Sequence, residues 1–121
     1  MIVSYKELVV WQRSMQLVRE VYRLVKFLPS DERYALSDQL RRAVVSISSN
    51  IAEGYARKSQ KEYVNFLSIA LGSNAEVETQ LLICVELGYI QQEDLSTAIG
   101  LVEEVRKMLI KMRQSILDTQ P

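Results

Sequence analysis

Apolar residues recur at helical spacing along nearly the whole chain. Leu8, Trp11, Met15, Val18, Tyr22 and Val25 form a first stripe, which stops near Pro29. Proline lacks a backbone donor and disfavours helix just before it. A second stripe holds Leu36, Leu40, Ala43, Val44, Ile47 and Ile51. The third helix is expected to open at Ser59, with Glu62 three residues on, a spacing in which each side chain can satisfy the other residue's free N–H. Its stripe is Tyr63, Phe66, Leu67, Ala70, Val77, Leu81 and Cys84, and Gly88 is the expected C-cap. The fourth carries Leu95, Ala98, Val102, Val105, Leu109, Met112 and Ile116 in the alternating three-four spacing of a bundle seam. Its start, near Gln91 to Glu93, is poorly marked, and the terminal Asp-Thr-Gln-Pro is expected to fray.

Four helices with short links predict an all-α fold: one domain over residues 1–121, an antiparallel up-down-up-down four-helix bundle. The glycine and proline counts, 4 and 2, agree with long elements and short connections.

The run Ser49-Asn50-Ile51-Ala52-Glu53-Gly54 interrupts an otherwise good helix with residues that disfavour helix interiors. On a helical projection Gly54 lies near the core direction. Gln39, Asn50, Ser46, Arg57 and Glu53 fall in order along one flank. Two readings stand. Either Gly54 begins helix termination and the polar residues are solvated, or another backbone approaches closely and Asn50, Ser46 and Gln39 bond across the contact.

The apolar arcs bear on that choice. The first helix has another stripe, Val10, Leu17, Val21, Leu24 and Leu28, and the fourth adds Leu101 and Met108 on one side and Ile110 and Leu117 on the other. Each arc spans roughly 200°, beyond the ~100° that one bundle face needs. A generous core would explain this, and so would contact between subunits.

Composition narrows the chemistry. Histidine is absent, which removes the commonest general base near neutral pH and the commonest metal ligand. The lone Cys84 lies in an apolar stripe with no histidine to activate it, so a buried core thiol is expected. One cysteine, no signal-peptide pattern and no apolar run of about 18 residues point to the cytoplasm rather than a membrane. A carboxylate pair such as Glu53 and Glu76 is the best enzymatic candidate, but it sits among arginines. The expectation is a non-enzyme with no cofactor and no metal.

The net charge is zero, yet it is segregated. Residues 62–105 contain eight acids and no lysine or arginine, while residues 33–61 contain six basic residues and two acids. In an up-down bundle, Lys6, Arg13, Arg57, Lys58, Lys61, Lys111 and Arg113 would share one end. Asp31, Glu32, Glu86, Glu93 and Asp94 would share the other. Helix-dipole matching accounts for part of this. A ring of parallel bundles would also repeat the basic end around its axis and attract phosphate.

The segment from Leu36 to Ile90 closely resembles the bacterial ribosomal RNA intervening-sequence proteins. The resemblance rests on Gln39-Leu40-Arg41-Arg42-Ala43 and Ser49-Asn50-Ile51-Ala52-Glu53-Gly54. It continues through Gly72-Ser73 with Glu76, Glu78 and Gln80-Leu81, to Leu87-Gly88-Tyr89. The N-terminal residues Tyr5 to Tyr22 fit the same pattern. Where the family often has proline before the Asn-Ile-Ala-Glu-Gly run, this chain has Ser48. The resemblance implies a four-helix bundle assembling into a ring, a homopentamer, with no catalytic residues. It is more distantly similar to the accessory proteins of diversity-generating retroelements, basic pentameric bundles that bind a reverse transcriptase and nucleic acid.

On that footing Gln39, Arg42, Ser46, Asn50, Glu53 and Gly54 are the candidate assembly or polar-network residues. Glu53 is expected to pair with Arg42 or Arg57, and Glu76 or Glu78 with Arg41 or Arg42. Arg57, Lys58, Lys61, Lys111 and Arg113 are the candidate nucleic-acid contacts. Two function classes follow: an oligomeric scaffold whose basic rim engages RNA or an RNA-binding protein, and an assembly module for protein partners alone.

Overall fold

Each stretch of three-four apolar spacing becomes a helix in the computed structural model, which describes residues 4–119. These are α1 (Val9–Leu24), α2 (Leu36–Ala56), α3 (Gln60–Glu86) and α4 (Ser96–Asp118). One 3₁₀ turn precedes α1, two link α1 to α2 and one leads into α4, and no strand occurs among the described residues. No helix among them is long and apolar enough to cross a membrane.

The ends follow local chemistry. α1 gives way after Leu24 to a 3₁₀ turn over Val25–Phe27, and Leu28 is extended, as the residue before Pro29 must be. Ser59 Oγ accepts from the Glu62 N–H at 3.3 Å. Only this arm of the expected reciprocal cap forms, because the Glu62 carboxylate turns toward Arg57, 4.0 Å away. Gly88 has φ +79°, and Tyr89 N–H donates to Cys84 C=O at 2.9 Å while Gly88 N–H donates to Val85 C=O at 3.0 Å. That is a Schellman end, which needs a left-handed residue after the helix. The poorly marked start of α4 is the turn Gln92–Leu95, whose Leu95 drops into the core. The fraying expected of the C-terminus falls partly on Gln120 and Pro121, outside the described residues.

α1 packs against α2 and α4, and α3 packs against the same two. Buried Leu17, Val21, Leu40, Ile47, Ile51, Leu67, Leu81, Val102, Val105 and Leu109 fill the space between them. The stripe expected to be the core face of α1 is corrected here. Val10, Leu17, Val21 and Leu24 are buried, whereas Trp11, Met15 and Val18 are only half-buried and Tyr22 is 41% exposed. Both stripes have helical spacing, so periodicity alone could not choose between them. The purely aliphatic one goes inside because it interdigitates with the Leu, Ile and Val of the other helices. Trp11 instead meets Tyr5 edge-on, ring centroids 5.3 Å apart.

Gly54 has a definite steric reason. A Cβ added there would lie 2.8 Å from Phe66 Cβ and 3.0 Å from Tyr63 Cδ1. The close approach is thus to the base of an α3 side chain in the same subunit, not to another backbone. Cys84 is fully buried, and burial pushes its thiol up to about 11.

Two measurements test this packing. Gly54→Ala gains up to about 1 kcal/mol of helix propensity but must displace Phe66, and overpacking costs typically about 1–3 kcal/mol. It is expected to lower the melting temperature, and Gly54→Leu is expected to lower it much further. Unchanged melting of both variants would refute the close contact. For Cys84, the folded pKa lies above the unfolded value, so the thiol's contribution to stability is complete below about pH 9 and is lost as pH rises toward 11. At pH 8 a disulfide reagent should therefore label the native protein far more slowly than the urea-unfolded chain.

Candidate assembly faces and basic end

The polar flank of α2 faces α3. Asn50 Nδ2 donates to Ser46 C=O at 2.8 Å and to Ser46 Oγ at 2.9 Å, and Ser46 Oγ lies 2.9 Å from Ser73 Oγ on α3. Further along, Gln80 Nε2 reaches Gln39 Oε1 at 3.4 Å. With Gly54 against Tyr63 and Phe66, these contacts form a ladder in which the α3 residue number rises as the α2 number falls. The bonding expected of Gln39 and Ser46 across a contact therefore occurs between two helices of one chain, whereas Asn50 bonds back to Ser46 on its own helix.

The expected ion pairs partly rearrange. Arg57 pairs with Glu53 at 2.8 Å, one of the two partners foreseen, and its guanidinium stacks 5.0 Å above the Phe66 ring. Arg42 instead takes Asp38 at 3.1 Å, one turn back on its own helix. No ion pair joins Glu76 or Glu78 to Arg41 or Arg42 among the described residues. Arg41 lies over the Tyr22 ring, 5.9 Å from its centroid, bridging α2 and α1. Local geometry decides these pairs. An i,i+4 partner needs no long-range register and keeps both charges in water.

Sequence reasoning missed the burial of five polar residues, Ser37 at the start of α2 and four that fall in the core. Ser14 Oγ and Ser48 Oγ meet at 2.8 Å between α1 and α2. Asn74 is 1% exposed, and its Nδ2 donates to Val102 C=O on α4 at 3.0 Å. Gln80 is 6% exposed. Asn74 Oδ1 and Gln80 Oε1 have no hydrogen-bond partner. The available signal was position: Ser14, Ser48, Asn74 and Gln80 each fall within or beside a core stripe, where an apolar residue would be the default.

Contacts gather one set of helix ends. Leu8 to Val10 at the start of α1, Tyr63 at the start of α3, and Met108, Met112 and Ile116 on α4 line an open apolar groove of about 570 Å³, with Lys111 on its rim. Burial raises the Tyr63 phenol pKa there. Tyr63 also touches Gly54, so the C-terminus of α2 is at this end, with Lys58 and Lys61 exposed beside it. Not all the cations placed here by sequence are available. Arg13 pairs with Glu104 at 2.8 Å, Arg57 is engaged as above, and Arg113 donates to Ser68 Oγ at 3.2 Å. Lys58, Lys61 and Lys111 make no ion pair among the described residues.

Two further grooves run along the outside of the bundle. One, between α1 and α2, is lined by Trp11, Met15, Val18, Val45 and Ala52. The other, between α3 and α4, is lined by Leu71, Gly72, Ala75, Glu78 and Ile110. Val45 and Ile110 are among the large apolar side chains left exposed. Among the described residues, no three of the Cys, Asp and Glu side chains gather where they could hold a metal ion.

Comparison with known proteins gives this architecture a family. A crystal structure of a protein of unknown function, from the S23 ribosomal protein family of Bacteroides thetaiotaomicron, superposes with a TM-score of 0.80 at 29% identity. The match covers 88% of this chain and 96% of that one. No curated protein matches. The model of the family described as 23S rRNA-intervening sequence protein matches residues 6–111, which include the helix-ending, polar-ladder and core residues described above. The chain belongs to the 23S rRNA-intervening sequence protein family.

Proposed function

We propose that this protein is a non-enzymatic oligomeric scaffold. Its four helices run up-down-up-down, copies assemble into a ring, and the ring contacts RNA through its basic end. The observation that carries the reading is the apolar surface left on a chain whose core is already complete. Val9, Tyr22, Val45, Ile69, Leu82 and Ile110 are each at least 40% exposed around a fully buried interior. Soluble monomers rarely keep such side chains in continuous grooves, whereas subunit interfaces are built from them. The family resemblance supports five as the ring size. A cytoplasmic setting fits a lone thiol, Cys84, which stays reduced there.

RNA is the polyanion favoured by membership of a family named for 23S rRNA intervening sequences. Lys58, Lys61 and Lys111 support a phosphate-contacting role because no carboxylate among the described residues is paired with them. One copy offers little affinity. Rotational symmetry multiplies the contacts along one strand without adding residues. The acidic end, where Tyr89 donates to the Glu32 carboxylate at 2.9 Å, points away from the RNA.

Sedimentation at micromolar concentration is expected to give a discrete oligomer near five times the 13.9 kDa chain mass. A monomer alone would refute the scaffold. RNA titration is expected to show weak, sequence-tolerant binding at about 50 mM salt that falls steeply by about 200 mM, as counterions compete for phosphate. Lys58→Glu with Lys61→Glu and Lys111→Glu should abolish it while leaving the oligomer intact. Arg57 is spared because its loss would also disturb Phe66. No binding at low salt, or binding indifferent to salt and charge reversal, would leave the protein-only module as the correct reading.

A further inference from the structure

Gly72 has no structural reason inside its own subunit. It lies in the middle of α3, where glycine is unfavourable, and a Cβ added there would meet nothing within 4 Å. Gly54, by contrast, is tightly enclosed. Gly72 lines the α3/α4 groove beside Ala75, so the floor of that groove is low. A low floor built around a mid-helix glycine that its own subunit does not need marks a surface that another molecule covers.

The α1/α2 groove is bordered by larger side chains. Trp11, Met15, Val18 and Tyr22 follow one another at four-three-four spacing, the pattern of a helix-packing seam, yet none of them is buried in the subunit. Arg41 stands at its edge over Tyr22.

Interhelix hydrogen bonds fix the relative heights of these features. Ser14 meets Ser48, which puts Met15 level with Ile47, and Ser46 meets Ser73, which puts that level at Gly72. By the same ladder Val18 is level with Ala75. Gln39 meets Gln80, which puts Arg41 level with Glu78, and Glu78 lines the α3/α4 groove. Large side chains on one groove thus match small ones on the other, and a cation matches a carboxylate, at equal height.

We propose that the large side chains bordering the α1/α2 groove of one copy seat in the α3/α4 groove of the next, with Met15 and Val18 over Gly72 and Ala75 and with Arg41 paired to Glu78. This deepens the ring reading above and rests on it. Rotation about an axis parallel to the helices brings equal heights together, and a head-to-tail contact of two different faces is the kind that closes a ring.

The test compares assembly with folding. Gly72→Leu, Arg41→Glu, Glu78→Arg and the double swap Arg41→Glu with Glu78→Arg are measured by light scattering for mass and by circular dichroism for helicity. Gly72→Leu is expected to keep full helicity, since a Cβ there meets no atom of its own subunit within 4 Å and leucine is the better helix former, while falling to monomer mass. Each single reversal should weaken assembly at least tenfold, and the double swap should restore it. Mixing Arg41→Glu with Glu78→Arg protein restores opposite charges at every contact between unlike copies, one native and one swapped, and should recover mixed oligomers that neither variant forms alone. If Gly72→Leu fails to fold, the charge swap decides alone. A wild-type oligomer whose mass none of these changes alters would overturn this pairing and leave the scaffold standing. A monomeric wild type would overturn both.

Discussion

The approach of α3 to the C-terminal half of α2 is the constraint on which the rest of the bundle depends. With Phe66 Cβ only 2.8 Å from where a Gly54 Cβ would stand, the two helices lie closer there than any other residue would permit. That contact lets the short Ser46 and Ser73 hydroxyls meet at 2.9 Å further along, and with Asn50 they satisfy one another. A ladder of short polar groups sets helix register more sharply than apolar packing does, because a slip of one residue leaves donors and acceptors buried without partners. Once α2 and α3 are fixed, α1 is registered by the Ser14–Ser48 pair and α4 by the bond from Asn74 to the Val102 carbonyl.

Much of this was legible in the sequence, and the reasons differ by element. The Schellman end at Gly88 and the opening of α3 at Ser59 depend on local backbone chemistry, which residue types report directly. The core of α2 was legible because its stripe had no competitor. The core face of α1 was not: Trp11, Met15, Val18 and Tyr22 match helical spacing as well as Leu17, Val21 and Leu24 do. Only the shape of the neighbouring helices decides which stripe fits inside. The same limit applied to charge. Proximity on a helix predicted Arg57 with Glu53, but nothing local could show that Arg57 also covers Phe66 or that Arg13 reaches Glu104 from another helix.

The two internal glycines on α2 and α3 separate two kinds of constraint that a sequence writes in the same letter. Gly54 is required by what its own chain places against it, so its effect is expressed in folding. Gly72 faces open space, so its effect must be expressed, if anywhere, in what the folded chain meets. Stability and association are consequently under different residues here. That division explains how a helix can carry a costly glycine in its middle without weakening the core: Ala70, Asn74 and Val77 on the inner side of the same turns remain fully enclosed.

The segregation of charge follows the same logic. Acids in α3 and the first half of α4 have no lysine or arginine within residues 62–105, so their partners come from outside that stretch. Some are local to α4, as with Glu103, whose hydrogen bond from Arg106 at 2.8 Å lowers its pKa. Glu104 takes Arg13 from α1. Glu78 makes no ion pair among the described residues, although the charge of Arg106 in the same groove interacts with it, and it lies level with Arg41, which stacks over the Tyr22 ring. A charge pair split across two faces adds little while the subunit is alone, since each member is hydrated. Its contribution arises when neighbouring surfaces exclude water, where attraction strengthens and wrong registers become costly. In a protein whose interfaces are mostly apolar, and therefore tolerant of sliding, such a pair selects one register among many.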